Sequence, residues 1–289
     1  MTRLLVFGGT GFLGGRLCAV GTERGFDVTA THFSTPPGTS YTHSTDHADW
    51  LRCDITEDTE VDELVASVRP DAIINAAYVQ SGPTAATVCG DAAGWVAAAA
   101  ERAAARLVHV STDLVFDGNL GRSYGEDDVT NPLSDYGVAK LRGEELVANE
   151  APSAVIARTS IIYGHPRAPQ ETLTRRALEP APPGQNPVTF FTNEWRSPVH
   201  VDDLATALVD LTALPVSGVL HVAGAERINR LGFATLLAAY RGRDPSTLVG
   251  KPQDPALGPR PEDVSLDVQR AESLGLSLPG VSNRLAPTS

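Results

Sequence analysis

The sequence predicts an α/β fold in which a doubly wound parallel sheet is joined to a smaller carboxy-terminal subdomain, and three observations carry that prediction. The chain opens on a short apolar run, Leu4 to Phe7, which breaks into the turn Gly8-Gly9-Thr10-Gly11-Phe12-Leu13-Gly14 and resumes as a helical pattern through Leu17, Val20 and Gly21. Apolar runs of strand length then alternate with helical patterns as far as Gly164, as parallel strands joined by helical crossovers require. Beyond that point the composition changes: six prolines lie between His165 and Pro187, and the tail from Asp244 is again proline-rich.

Taken in order, the first strand, glycine turn and helix form the unit that holds a dinucleotide pyrophosphate. Glycine at Gly8, Gly11 and Gly14 lets the turn close, lets a phosphate approach the backbone and lets the helix pack on the strand, while the helix amino terminus offers free N–H groups. Thr10, Phe12 and Leu13 belong to the same loop. The second strand, about Asp27 to Phe33, ends where such folds read the ribose 2′ position, which places His32 and Ser34 there. That stretch has no acid between Val28 and Thr45 and no Lys or Arg between Gly25 and Leu51, so the choice between NADP and NAD stays open and weak discrimination is expected. Trp50 to Cys53 reads as a third strand leading to Asp54 and Ile55. The Asp54 carboxylate is expected on the adenine amino group, with a plain solvated loop residue as the competing reading. Thr59 to Val68 is an amphipathic helix, and Asp71 to Asn75 a fourth strand ending in Asn75-Ala76-Ala77, small residues that suit a close ligand. Ala92 to Ala105 has strong helix propensity and is read as packing.

The chemistry concentrates between Ser111 and Lys140. Thr112 closes the apolar run RLVHVST, a buried fifth strand, so its hydroxyl emerges at the carboxyl end where ligands bind in open α/β sheets. Tyr136 and Lys140 are one helical turn apart on one face. A phenol near pKa ~10 gives up its proton poorly, and a neighbouring ammonium is expected to bring it towards working range. A Y-x-x-x-K spacing recurs by chance on solvated helix faces. Its place downstream of the glycine turn sets this one apart, and Thr112, Tyr136 and Lys140 are the catalytic candidates. Val155 to Thr159 is a sixth strand leading into Ile161-Ile162-Tyr163-Gly164, and the proline-rich stretch after it reads as a short helix within irregular linkers that could cover a pocket. Val199 to Leu214 restores a helical pattern, Gly218 to Val222 a strand and Arg230 to Tyr240 a helix. The expected division is a dinucleotide-binding domain over 1–164, with 196–222 returning to it, and a second subdomain from 165–195 and 223–289.

With 42% hydrophobic and 20% charged residues and a net charge of -12, the chain reads as a globular protein whose surface suits neither nucleic acid nor an anionic membrane. Cys18, Cys53 and Cys89 are widely spread, so neither a disulfide framework nor a metal site is expected, and a reducing cytoplasm fits. No run approaches 18 uninterrupted apolar residues, and neither an export signal nor a membrane span is expected.

The segments GGTGFLG at 8–14, NAA at 75–77, STDLVFDG at 111–118, YGVAKLRGE at 136–144, RTSIIYG at 158–164 and RSPVHVDDLA at 196–205 together resemble the extended short-chain dehydrogenase/reductases, within them the dTDP-4-dehydrorhamnose reductase group. That resemblance implies a Rossmann-type fold with a substrate-binding subdomain, Thr112, Tyr136 and Lys140 as catalytic triad, Tyr136 and Lys140 also touching the cofactor, and NAD(P)H-dependent reduction of the C4 keto group of a nucleoside-diphosphate 4-keto-6-deoxy sugar. Asp113 adjoins the triad. Trp195 and Arg196 are expected to stack on the substrate base and hold its diphosphate, against a core tryptophan and a rim salt bridge. A homodimer is expected. Cys89 stands where many extended members carry an Asn that supports the site. Two other functions remain open: an epimerase or dehydratase using the same Tyr–Lys pair, and a non-catalytic dinucleotide-binding subunit like the regulatory β subunit of methionine adenosyltransferase.

Overall fold

A computed structural model describes residues 1–38, 48–165, 169–179, 188–254, 256 and 258–286. Its first part runs β1 (Arg3–Phe7), α1 (Phe12–Glu23), β2 (Asp27–His32), β3 (Asp49–Arg52), α2 (Asp58–Val68), β4 (Ala72–Asn75), α3 (Ala92–Arg102), β5 (Arg106–Thr112), α4 (Asp135–Glu150) and β6 (Val155–Thr159). The second runs β7 (Ile162–Tyr163), α5 (Pro169–Ala177), β8 (Thr189–Phe191), β9 (Trp195–Arg196), β10 (Val199–His200), α6 (Val201–Asp210), β11 (Gly218–His221), β12 (Ile228–Asn229), α7 (Arg230–Tyr240), β13 (Val249–Lys251), α8 (Gln269–Ser273) and α9 (Val281–Arg284).

Seven parallel strands form the central sheet in the order β11-β6-β5-β4-β1-β2-β3. The chain winds outward from β1 through β2 to β3, then returns to β4 on the other side of β1 and winds the opposite way. The gap between β1 and β4 is therefore the switch point where such sheets bind ligands. Leu4, Leu5, Val6 and Phe7 of β1 are all fully buried, because successive side chains feed opposite layers. One layer packs α1 and α6 around Leu17, Leu204 and Leu208, and the other packs α2, α3 and α4 around Leu64, Val96 and Val147. Each such side chain removed from water is worth about 2 kcal/mol.

The helical pattern at Val199–Leu214 starts two residues late, at Val201, since Val199–His200 pairs as a strand with Ile162–Tyr163. The His200 imidazole then accepts from the Asp202 N–H and caps α6. Gly218–His221 re-enters the sheet beside β6, a seventh parallel strand added after the proline-rich segment. Of that segment Pro169–Ala177 is helical, and 166–168 and 180–187 lie outside the described residues, as does Thr45. The three cysteines are free and buried. Among the described residues no helix is long and apolar enough to cross a membrane.

Candidate active site

The glycine turn is built by close approach. A Cβ on Gly14 would lie 2.0 Å from the Gly8 carbonyl oxygen, and Gly8 itself sits at φ +80° with Ala77 backbone 2.9 Å from where its Cβ would go. Both glycines are demanded by the protein. Gly11 is different: among the described residues the one heavy atom within 4 Å of its Cβ position is the Gly8 carbonyl oxygen, at 3.2 Å, so the space there is left for something else. Among the described residues no side chain caps α1, and no acid lies in its first turn. Uncapped N–H groups beside an open cradle are what a pyrophosphate requires, and the residues present fit a dinucleotide.

A cavity of about 1270 Å³ begins at this loop and runs across the carboxyl ends of the strands. It is lined by Gly11, Phe12, Leu13, Gly14 and Ala76 on one side, by Thr112, Asp113, Tyr136 and Lys140 in the middle, and by Glu194, Arg196, Arg230 and Arg260 on the other side. His32, Ser34, Asp54, Ile55 and Asn75 stand at or just past the ends of β2, β3 and β4, and none of them is among the residues lining the cavity. The Asp54 Oδ1 is already held by the Thr56 backbone N–H at 3.0 Å and its hydroxyl at 2.7 Å, and Asn75 Oδ1 accepts from the Ala77 N–H at 3.2 Å. Both shape their loops.

Thr112 and the Tyr136 helix are brought together by packing that the bare sequence does not show. A Cβ on Gly137 would lie 2.3 Å from the Leu114 carbonyl oxygen, so α4 starts hard against the turn after β5. Ser134 caps that start by accepting from the Gly137 N–H at 3.2 Å. Thr112 Oγ1 donates to Asp113 at 3.2 Å and accepts from the Leu114 N–H at 3.2 Å. The Lys140 ammonium donates to the Val110 carbonyl at 2.9 Å. Below it Glu144 is gripped by Arg158 through bonds of 2.7, 3.0 and 3.2 Å, with Ser111 donating to the same carboxylate at 2.5 Å.

The electrostatics correct one expectation. Lys140 was expected to lower the Tyr136 phenol, yet burial pushes that phenol above its ordinary value, reinforced by Cys89, Tyr78 and Asp113 nearby. Desolvation dominates. Burial also lowers Lys140, against the opposing influence of Cys89 and Glu144. The phenol is thus protonated at neutral pH, the state a proton donor needs. Asp113 is likewise pushed up by burial, although Arg196 at 3.8 Å and the Ser160 hydroxyl at 2.6 Å favour its charged form.

Cys89 lies in a π-helical turn, Thr87–Asp91, that precedes α3, with its thiol donating to the Val79 carbonyl at 3.4 Å. Such turns concentrate at functional sites, and a Cβ on Gly143 would lie 2.4 Å from the Cys89 carbonyl oxygen, so this turn is pressed against α4. Trp195 is not among the residues lining the cavity; the Arg227 guanidinium covers its ring at 3.9 Å. Arg196 does line it, but is tied to Glu194 at 3.1 Å and to Asp113, and reads as wall. Sequence reasoning missed Glu194, Arg230 and Arg260, whose guanidinium groups both stand 3.8 Å from that carboxylate, and Tyr78 at the cavity rim. The position of Tyr78 directly after Asn75-Ala76-Ala77 was a usable signal; nothing local marked the other three.

Residues 1–286 match the family described as the RmlD substrate binding domain. The dTDP-4-dehydrorhamnose reductase of Mycobacterium tuberculosis is 32% identical over 90% of this chain and 81% of its own length. The methionine adenosyltransferase 2 subunit beta of Danio rerio is 26% identical over 96% of this chain and 86% of its own. Among solved structures, the dTDP-4-dehydrorhamnose reductase of Bacillus anthracis in complex with NADP superposes with a TM-score of 0.81 at 23% identity, over 99% of this chain and 96% of that one.

Proposed function

The chain belongs to the RmlD substrate binding domain family, and from that premise we propose that it reduces the C4 keto group of a nucleoside-diphosphate 4-keto-6-deoxy sugar with NAD(P)H. One observation carries the reading: Thr112, Tyr136 and Lys140 line the same cavity as the Gly11–Gly14 loop. Gly11, Phe12, Leu13, Gly14 and the amino terminus of α1 would hold the pyrophosphate, Ala76 and the ends of β2 and β3 the adenosine, and Lys140 the nicotinamide ribose. NAD(P)H, when bound, supplies the hydride. Thr112 exchanges its long bond to Asp113 for the substrate C4 oxygen, and Tyr136 holds the same oxygen from the other side. The protonated phenol then gives its proton to the alkoxide that develops there, and the Lys140 ammonium stabilises the tyrosinate left behind. Arg230 and Arg260, two cations sharing Glu194 with Arg196, take the substrate diphosphate at the far end. The protein acts in the cytoplasm as a homodimer, which light scattering would test.

The likeness to a methionine adenosyltransferase subunit supports a second reading, a dinucleotide-binding subunit without turnover. Oxidation of NADH and NADPH, followed by absorbance against a panel of 4-keto sugar nucleotides, separates the two. Turnover with a 4-keto-6-deoxy sugar nucleotide and not with its 4-hydroxy counterpart supports the reductase; binding of dinucleotide without turnover on any member of the panel rejects it.

A further inference from the structure

We propose that Arg52 reads the 2′-phosphate of NADP and that this protein prefers NADPH to NADH. The inference rests on the dinucleotide reading of the site and decides what that reading left open. Along the chain, the end of β2 is devoid of cationic residues. Across the sheet it is not: β2 and β3 pair in parallel, and their register sets Arg52, the last residue of β3, directly beside His32, the last residue of β2. A phosphate on the ribose 2′ oxygen belongs at this strand end.

The side chain is held ready for an anion. Its guanidinium lies 4.8 Å from the centroid of the Phe33 ring, which is itself 49% exposed, so the ring holds the group over the residue just past β2. Among the described residues its one charged partner is Glu60 at 3.7 Å, beyond hydrogen-bond reach, and the Glu60 oxygen concerned already accepts from the Asp54 N–H at 2.7 Å. With 59% of the Arg52 side chain exposed, that pair is weak and easily exchanged. Next to it in the register, the His32 Nδ1 is buried with no hydrogen-bond partner among the described residues. A planar fork of donors suits a phosphate dianion, whereas NADH offers it only a hydroxyl.

Direct binding tests this without any sugar substrate. Dissociation constants of NADPH and NADH are measured by fluorescence titration for the wild type and for Arg52→Gln, with 2′,5′-ADP and 5′-AMP as competing probes of the adenosine end alone. Wild type is expected to bind NADPH and 2′,5′-ADP tighter than NADH and 5′-AMP by a factor on the order of 10 to 100, a gap that added salt narrows. Arg52→Gln should lose that factor for the phosphorylated pair and hold the other pair within about threefold. Equal weakening of both dinucleotides would mean that Arg52 only packs on Phe33. No change in either, or a wild type without preference, would equally overturn the assignment. Failure of wild type to bind any dinucleotide would overturn the site reading itself, and Arg52 with it.

Discussion

Glu144→Ala should destabilise the protein more than any change made only at the surface, because it strands a buried cation. Glu144 and Arg158 have side chains only 5% exposed, so solvent cannot take over the carboxylate's role. The carboxylate accepts three contacts from Arg158 and one from Ser111, and the guanidinium lies 5.1 Å from the Phe116 ring centroid with no water to replace the carboxylate. Breaking such a pair from one side costs about 3–5 kcal/mol, a fall in thermal midpoint of roughly 5–15 °C for a chain of this size. Arg158→Met, which leaves the carboxylate stranded instead, should cost a similar amount. The double variant Glu144→Leu/Arg158→Met should recover most of the loss, since removing both charges is nearly neutral. The tie also sits next to the chemistry: Ser111 pairs with Arg158 and Thr112 with Thr159 in the β5–β6 register, and Glu144 is one turn beyond Lys140. The folded fraction of each single variant should therefore turn over more slowly. Denaturant titration and calorimetry on the wild type and the three variants measure these losses. A loss below about 1 kcal/mol in Glu144→Ala, or a double variant no better than the singles, would refute the reasoning.

Tyr136→Phe should lower kcat by roughly 10²- to 10⁴-fold while dinucleotide affinity stays within about threefold, because the hydroxyl acts on the developing alkoxide and not on the bound cofactor; near-normal turnover would remove Tyr136 from the proton transfer. Gly11→Val and Gly14→Ala should fail differently: the first folds with a normal thermal midpoint and loses dinucleotide binding, the second loses stability outright, since its methyl would meet the Gly8 carbonyl oxygen at 2.0 Å. Matching melting curves for these two variants would show the roles misassigned. His109 is fully buried with both ring nitrogens unpartnered among the described residues, and burial, aided by Lys140, holds it well below its ordinary 6.5. The unfolded chain takes up that proton first as pH falls, so wild type loses stability from about 6.5 downwards. His109→Leu should be about 1 kcal/mol more stable at neutral pH and should show a shallower acid loss, part of which remains through His200 and His221, also lowered by burial. An unchanged slope of stability against pH between 5 and 6.5, about the range in which histidine titrates, would reject that account.

Much of the fold and of the candidate site is written locally. Leu4–Phe7 followed by three spaced glycines can close only one kind of turn, and the alternation of apolar runs with helical patterns leaves a wound parallel sheet as the way to bury them. Tyr136 and Lys140 share a face because a helix has 3.6 residues per turn, and Thr112 ends a strand because the apolar run ends there. Each rests on residues near in sequence, which is why each could be read without coordinates. What depends on distant residues could not. The cation at the end of β2 comes from β3 through strand register, one residue beyond the window that sequence could inspect. The Glu194, Arg230 and Arg260 wall is assembled from three separate segments, and Trp195 turned out to face Arg227 because β9 pairs with β12 on its own small sheet. The direction in which the Tyr136 phenol moves was decided by tertiary structure too: spacing puts an ammonium one turn away, but only packing sets how much water the phenol loses, and burial is the largest influence on it, with Lys140 not among the groups that act on it.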